Sequence, residues 1–237
     1  MKTGILYALF NDEENPKENE FYKHHLLMSV TSVRKFNDLP ITIITNRHDL
    51  ELDFDNVQIK KVNFEEHFPK RYIEGSSRLT RWCNFTIRKL EVFKHYLPYE
   101  ITIYSDVDIL FLDDPKKIID EKFDLSIARE TRFNGPPRLC HMLNTGLFAA
   151  KNDHPFNSLI EKACHILQNK DNYPEISEPV NPSGDQYYIH AALDYIHDID
   201  IKILPAQWNV RNPLIGKIKN PKVIHTKNLS LKSKFIC

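Results

Sequence analysis

Ile101-Thr102-Ile103-Tyr104-Ser105-Asp106-Val107-Asp108-Ile109-Leu110-Phe111-Leu112 sets two carboxylates, one residue apart, between two apolar runs. The first half is β-branched and aromatic, which predicts a buried strand. Buried carboxylates are costly unless they are paired or hold a metal. The strand is therefore expected to end at Asp106, with Asp106 and Asp108 facing a crevice beside its carboxyl end. Ligands of open α/β sheets bind in such crevices. Two neighbouring carboxylates repel, and a hard divalent cation such as Mn²⁺ or Mg²⁺ relieves the repulsion and commonly brings phosphates with it. The plain alternative is a solvated turn, but a turn would more often carry Gly, Pro or Asn.

The flanks extend this strand into a layered α/β fold. Upstream, Thr3 to Phe10 reads as a strand and Asn11 to Asn19 as a loop. Glu20 to Phe36 reads as a helix with Phe21, His24 or His25, Met28, Ser32 and Phe36 along one side. Ile41–Thr45 and Val57–Val62 are further strands. This order implies a mostly parallel sheet with helices on its faces. No Gly-x-Gly-x-x-Gly or Gly-Lys-Ser/Thr loop is present, so any phosphate must be held by metal and basic side chains. Ser77 is placed to cap a helix reaching about Leu97, with Leu79, Trp82, Cys83, Leu90, Phe93 and Leu97 on one face. Arg78, Arg81, Arg88 and Lys89 lie on the adjoining arc. They form either a solvated basic face or, because this helix feeds the Asp106 strand, counter-charges for the crevice.

Downstream, Asp113 and Asp114 read as a helix cap and a solvated residue, and Phe123 to Ala128 as a strand. Residues 129–141, with Gly135-Pro136-Pro137, form a long loop of the kind that covers sites. Met142 to Ala150 is a strand in which Asn144-Thr145-Gly146 marks either a bulge or a close backbone approach to a ligand. His154 to Asn169 is an amphipathic helix, and 170–182 an irregular connection. Asp185 and Gln186 open a helix running to about Ile196, where Asp185 serves either the helix dipole or the site. Ile201–Leu204 and Val223–Thr226 are late strands. His225 follows two aliphatics, as a core histidine would, and is equally suited as a third metal ligand.

The 237 residues carry zero formal net charge, which gives no basis for nonspecific nucleic-acid binding. A chain of this length builds one large domain or two small ones. No apolar run approaches the roughly 20 residues of a membrane helix. The opening Met1-Lys2-Thr3-Gly4-Ile5 reads as a first strand rather than a secretory signal. Cys83, Cys140, Cys164 and Cys237 are far apart, so reduced thiols and a cytoplasmic setting are expected.

Five segments in order resemble the retaining GT-A-type glycosyltransferases with the glycogenin-like and lipopolysaccharide galactosyltransferase-like pattern. Asp106-Val107-Asp108 resembles their Asp-x-Asp motif, and Leu143-Asn144-Thr145-Gly146-Leu147-Phe148 their Phe-Asn-Ser/Thr-Gly segment. Asp185-Gln186, Trp208-Asn209 and His225 resemble their Asp-Gln pair, Trp-Asn strand end and late metal-binding His. The resemblance implies a single GT-A-type, Rossmann-like α/β domain over 1–237. Its mixed, mostly parallel sheet would be flanked by helices, with a nucleotide-binding half (1–112) and an acceptor and sugar half (113–237). It implies a nucleotide-diphosphate sugar donor, uridine diphosphate being the commonest carrier, a glycan, lipid or protein acceptor, and Mn²⁺ or Mg²⁺ on Asp106, Asp108 and His225. Ala8, Leu9, Phe10 and Asn11 would meet the nucleoside. Lys89, Arg81, Asp106, Val107, Asp108, Asn144, Thr145 and Gly146 would line the donor site. Asp185, Gln186 and Lys89 would be the catalytic group.

The chain departs from the family after His225, where Thr226-Lys227-Asn228-Leu229-Ser230-Leu231-Lys232 stands in place of a Gly and a Lys-Pro-Trp. Lys227 or Lys232 is then the replacement for the family's diphosphate contact. A non-catalytic GT-A-like binding module is the alternative that this departure supports. Phosphatases of the haloacid-dehalogenase type also carry Asp-x-Asp, but after the first strand and with Thr or Val where Leu110 stands here.

Overall fold

A computed structural model describes residues 1–10, 16–63, 78–130, 143–169, 172–173, 184–212 and 214–236. In chain order the elements are β1 (Thr3–Leu9), α1 (Pro16–Arg34), β2 (Ile41–Thr45), β3 (Val57–Lys61), α2 (Arg78–His95), β4 (Ile101–Ser105) and β5 (Ile109–Phe111). Then come β6 (Leu125–Arg129), β7 (Leu143–Lys151), α3 (His154–Gln168), α4 (Asp185–Leu193), β8 (Ile201–Leu204), β9 (Val210–Arg211), β10 (Val223–His225) and α5 (Leu229–Ile236). Seven strands form the main sheet in the order β3-β2-β1-β4-β7-β6-β8. The first four run parallel, β7 is antiparallel to β4 and β6, and β8 is parallel to β6. The sequence expectation of a mixed, mostly parallel sheet between helices holds.

Alternation along β1 shows why its apolar run is unbroken. Ile5, Tyr7 and Leu9 belong to one core with Leu26, Val30 and Val33 of α1, while Leu6 and Ala8 belong to the other with Leu90 and Phe93 of α2. A strand covered on both faces needs apolar residues at every position. On the second face, Tyr104 stacks on Phe148 at 5.3 Å and meets Phe93 edge-on at 4.7 Å. This locks the Tyr104 ring directly beneath the end of β4.

A small second sheet, β5-β10-β9, was not part of the sequence expectation. β10 pairs antiparallel with β5, setting His225 opposite Ile109, and parallel with β9, setting His225 opposite Arg211. The late strand read at Val223–Thr226 is β10, but β5 and β9, of three and two residues, carry too little pattern to be read alone.

Several boundaries differ from expectation. α1 begins at Pro16, inside the stretch read as loop, because Pro is well suited to the first turn of a helix. Its buried face is His25, Leu26, Ser29, Val30, Ser32 and Val33, not the face through Phe21, Met28 and Phe36, and Phe36 is exposed. Ser29 pairs with the Tyr7 hydroxyl at 2.9 Å and Ser32 Oγ accepts from the Phe111 amide at 3.0 Å, so the helix buries polar residues by satisfying them. Asp113 is neither the cap nor the solvated residue of the sequence reading: it is buried and takes Lys117 at 2.7 Å and Lys222 at 2.5 Å. Asp114 does cap a 3-10 turn at Pro115–Ile118. The helix opened by Asp185 ends at Leu193 rather than near Ile196. Ser77, Cys140, the segments 131–141 and 174–182, and the Arg78, Leu79, Arg81 and Trp82 side chains lie outside what is described.

Candidate functional site: a carboxylate–histidine cluster at the end of β4

β4 stops at Ser105, and the Asp106 amide donates to the Gly146 carbonyl at 2.7 Å. That bond exists because β7 bulges beside it. Between the pairs Ile127–Phe148 and Ala128–Asn144, β7 carries Thr145, Gly146 and Leu147 without partners on β6. The bulge, one of the two sequence readings of this segment, is thus present, and Gly146 lies against the Asp106, Asn144 and His225 side chains. A Cβ added to Gly146 would lie 2.7 Å from Asp106 Oδ2, 2.8 Å from His225 Cε1 and 2.9 Å from Asn144 Oδ1. Those distances are too short for any side chain without displacing the site.

The two oxygens of Asp106 are used differently. Oδ1 takes the Lys89 ammonium at 2.8 Å and the Tyr104 hydroxyl at 3.0 Å. Oδ2 lies 4.0 Å from His225 Nε2, which is also 3.1 Å from Asp108 Oδ1. Ligand atoms from Asp106, Asp108 and His225 lie within 4.8 Å of one another, and among the described residues no other group of three such side chains does so.

The tautomer of His225 follows from its neighbour. Asn209 donates through Nδ2 to the Arg129 carbonyl at 2.7 Å, which fixes the orientation of its amide. Its Oδ1 therefore accepts from His225 Nδ1 at 2.9 Å. Nε2 then faces two carboxylates, so that three potential ligand atoms converge as they would around a cation. An Nδ1–H tied to an amide oxygen is how metal-binding imidazoles are held. The donor set, two carboxylates and an imidazole, fits Mn²⁺ or Mg²⁺.

The surrounding charges are arranged about this cluster. Burial opposes ionisation of Asp108, but His225 and then Lys232 and Lys227 outweigh it and hold the carboxyl well below the usual range. Lys89 is buried, which disfavours its charge, yet Asp106 and Asp185 more than compensate and keep it protonated. Asp185, at the start of α4, accepts from Thr145 Oγ1 at 2.7 Å and lies 3.5 Å from Lys89. Burial raises its pKa, Lys89 opposes that, and Asp106 adds to it. Asn144 donates to Gln186 Oε1 at 3.3 Å and to Glu130 Oε2 at 2.9 Å, and Arg211 meets the same Glu130 oxygen at 3.3 Å.

The structure thus gathers Lys89, Asp106, Asp108, Asn144, Thr145, Gly146, Asp185, Gln186 and His225 into one cluster. The register sets Leu6 beside Tyr104, so Ala8, Leu9 and Phe10 run past the end of β4 toward it. Val107 is buried and packs into the core below. Asn11 and the Arg81 side chain lie outside the described residues. Lys227 is exposed and donates to the Tyr22 hydroxyl at 2.7 Å. Lys232, by contrast, is fully buried on α5 near Asp108, and burial lowers its pKa to about 7 although Asp108 opposes the shift. Sequence reasoning missed Tyr104, Glu130 and Arg211. Glu130 carried a usable signal, a carboxylate at the end of an apolar strand as in Asp106, whereas Arg211 carried none.

A family model described as nucleotide-diphospho-sugar transferase matches residues 44–226. Mouse xyloside xylosyltransferase 1 superposes with a TM-score of 0.59 at 13% identity, over 97% of this chain and 99% of that one. The galactosyltransferase LgtC, solved with donor and acceptor sugar analogs, gives 0.61 at 14% identity, over 98% and 95%. The glycosyltransferase GlyE of Streptococcus pneumoniae TIGR4 gives 0.58 at 14% identity, over 99% and 61%. At such identities the likeness concerns the fold, which is the GT-A arrangement. No curated protein sequence matches the chain. No helix among the described residues is long and apolar enough to cross a membrane.

Proposed function

The chain belongs to the nucleotide-diphospho-sugar transferase family, and from that premise we propose that it is a metal-dependent hexosyltransferase that retains anomeric configuration. The observation that carries the reading is His225 Nε2 held against Asp106 and Asp108 by the bond from its Nδ1 to Asn209. Asp106, Asp108 and His225 would hold Mn²⁺ or Mg²⁺. When bound, the ion supplies Lewis-acid stabilisation of the departing diphosphate. The donor is a nucleotide-diphosphate sugar, with uridine as the expected base, and the acceptor a glycan, lipid or protein.

Each side chain then has a task. Ala8 to Asn11 meet the nucleoside, with Arg81 and Val107 at the donor, so that 1–112 forms the nucleotide half and 113–237 the sugar and acceptor half. Lys89 bridges Asp106 and Asp185, so that Asp106 Oδ1 is occupied and Oδ2 is left to the ion. Asn144, Thr145 and the Gly146 backbone line the sugar pocket. Asp185 and Gln186 lie at the anomeric carbon, where a carboxylate next to Lys89 steadies developing positive charge. Lys232, buried near Asp108, supplies positive charge on the diphosphate side of the cluster without touching the ligand, with Lys227 at the rim. A buried ammonium that neutralises the leaving group lowers the barrier because it is already in place and dry.

The test is calorimetric binding of a panel of nucleoside diphosphates to the parent and to Asp108→Ala, with and without Mn²⁺. Binding by the parent that requires Mn²⁺ and disappears in Asp108→Ala is expected. Binding indifferent to both would remove the donor-site assignment and leave a non-catalytic module.

A further inference from the structure

Two polar atoms are buried without a hydrogen bond to any described residue, Nζ of Lys232 and Nδ1 of His25, and the Asp108 charge reaches both groups. They come from α5 and α1, which pack together. The other ring nitrogen of His25 lies 3.2 Å from the Lys227 carbonyl oxygen. A carbonyl can only accept, so Nε2 carries the proton. Burial and then the Lys232 charge lower the basicity of the ring to about 4, so it is neutral near pH 7 and Nδ1 is a bare lone pair. An ammonium has three donors and no acceptor. The two groups are therefore complementary. The Lys232 charge acts directly on His25, and Asp108 acts on both. Leaving either atom unsatisfied in the interior would be costly.

We propose that His25 is the positioning residue for Lys232. Its Nδ1 lone pair accepts from one ammonium N–H across one bound water and turns the other N–H bonds toward Asp108 and the diphosphate side of the cluster. The bond from Nε2 to Lys227 ties the same ring to the backbone just ahead of α5. One imidazole thus fixes both the helix and the charge it carries. Nothing in the run from Lys17 to Arg34 marks His25 over His24, because the role exists only once α5 lies across α1. This inference rests on the assignment of Lys232 to the diphosphate made above.

Two amide substitutions separate the functions of the ring. An Asn side chain can place an oxygen near the position of Nδ1, whereas a Gln side chain reaches the position of Nε2 and keeps the bond to Lys227. Binding of inorganic pyrophosphate with Mg²⁺ would be measured by calorimetry on the parent, His25→Gln, His25→Asn, Lys232→Met and the double variant His25→Gln/Lys232→Met, with melting curves as the control for folding. His25→Gln is expected to weaken binding by about tenfold, the worth of one hydrogen bond to a charged group. His25→Asn is expected to stay within about threefold of the parent, and His25→Gln to add nothing in the Lys232→Met background. Equal losses in the Asn and Gln variants, or an additive loss in the double variant, would overturn the role of His25 while leaving Lys232 in place. No binding by the parent, or an unchanged affinity in Lys232→Met, would overturn the assignment of Lys232 and this inference with it.

Discussion

Gly146 concentrates the chemistry of the site in one missing methyl group. The atoms that an added Cβ would strike are the ends of the Asp106, His225 and Asn144 side chains. Such ends can swing aside, so the fold should adapt where the site cannot. Gly146→Ala is therefore expected to cost no more than about 2 kcal/mol of stability. Denaturant titration would read that cost. The same variant is expected to lose metal-dependent nucleotide binding by more than about tenfold, which calorimetry would read. A variant that melts early but binds normally would show that Gly146 serves the bulge alone. The residue scale is also where the sequence was most legible. Asp106 and Asp108 stood out because charge at the end of a buried strand demands compensation. Lys232 stood out only as one of two candidates, with Lys227, for the family's diphosphate contact, because one lysine among several has no local context that decides between them.

Among the elements, α5 stands where the family pattern departs. Asn228 begins it, with Oδ1 accepting from the Leu231 amide at 3.0 Å, and Thr226 Oγ1 accepts from the Asn228 amide at 3.1 Å. This is a helix cap, and an Asn followed by Leu229-Ser230-Leu231-Lys232 was the available signal. The cap sets where the helix starts and hence that Lys232 points inward. Asn228→Ala is expected to cost about 1 kcal/mol. The loss should be local: amide exchange in α5 should quicken while that of β1 and β4 stays unchanged, and nucleotide affinity should fall. Asn228→Asp keeps the capping oxygen and should restore both. β7 is a second case at this scale. Its bulge was readable as one of two alternatives, and the pairing with β6 shows the bulge, with Gly146 set against the cluster.

At the scale of the whole molecule, a buried acid away from the site makes stability depend on pH. Glu91 on α2 is buried with no hydrogen bond to either oxygen among the described residues, and burial lifts its pKa from 4.5 to about 8 against the pull of Arg88. Between those values the folded chain keeps a proton that the unfolded chain gives up, so its contribution to stability is present below 4.5 and lost as pH rises toward 8. Glu91→Gln removes that slope. The variant should gain on the parent by on the order of 3 kcal/mol between about pH 5.5 and pH 8, measured by urea titration at both. A gap that stays constant with pH would show that Glu91 is ionised in the fold. The sequence by itself determined the layer order, the parallel core and the carboxylates of the crevice, because burial on both faces and the cost of buried charge act on local pattern. Only the tertiary structure decided the small sheet that brings His225 to Asp108, the bond by which Asn209 holds His225, and the packing of α5 on α1. Those depend on contacts between residues far apart in the chain, which no local period encodes.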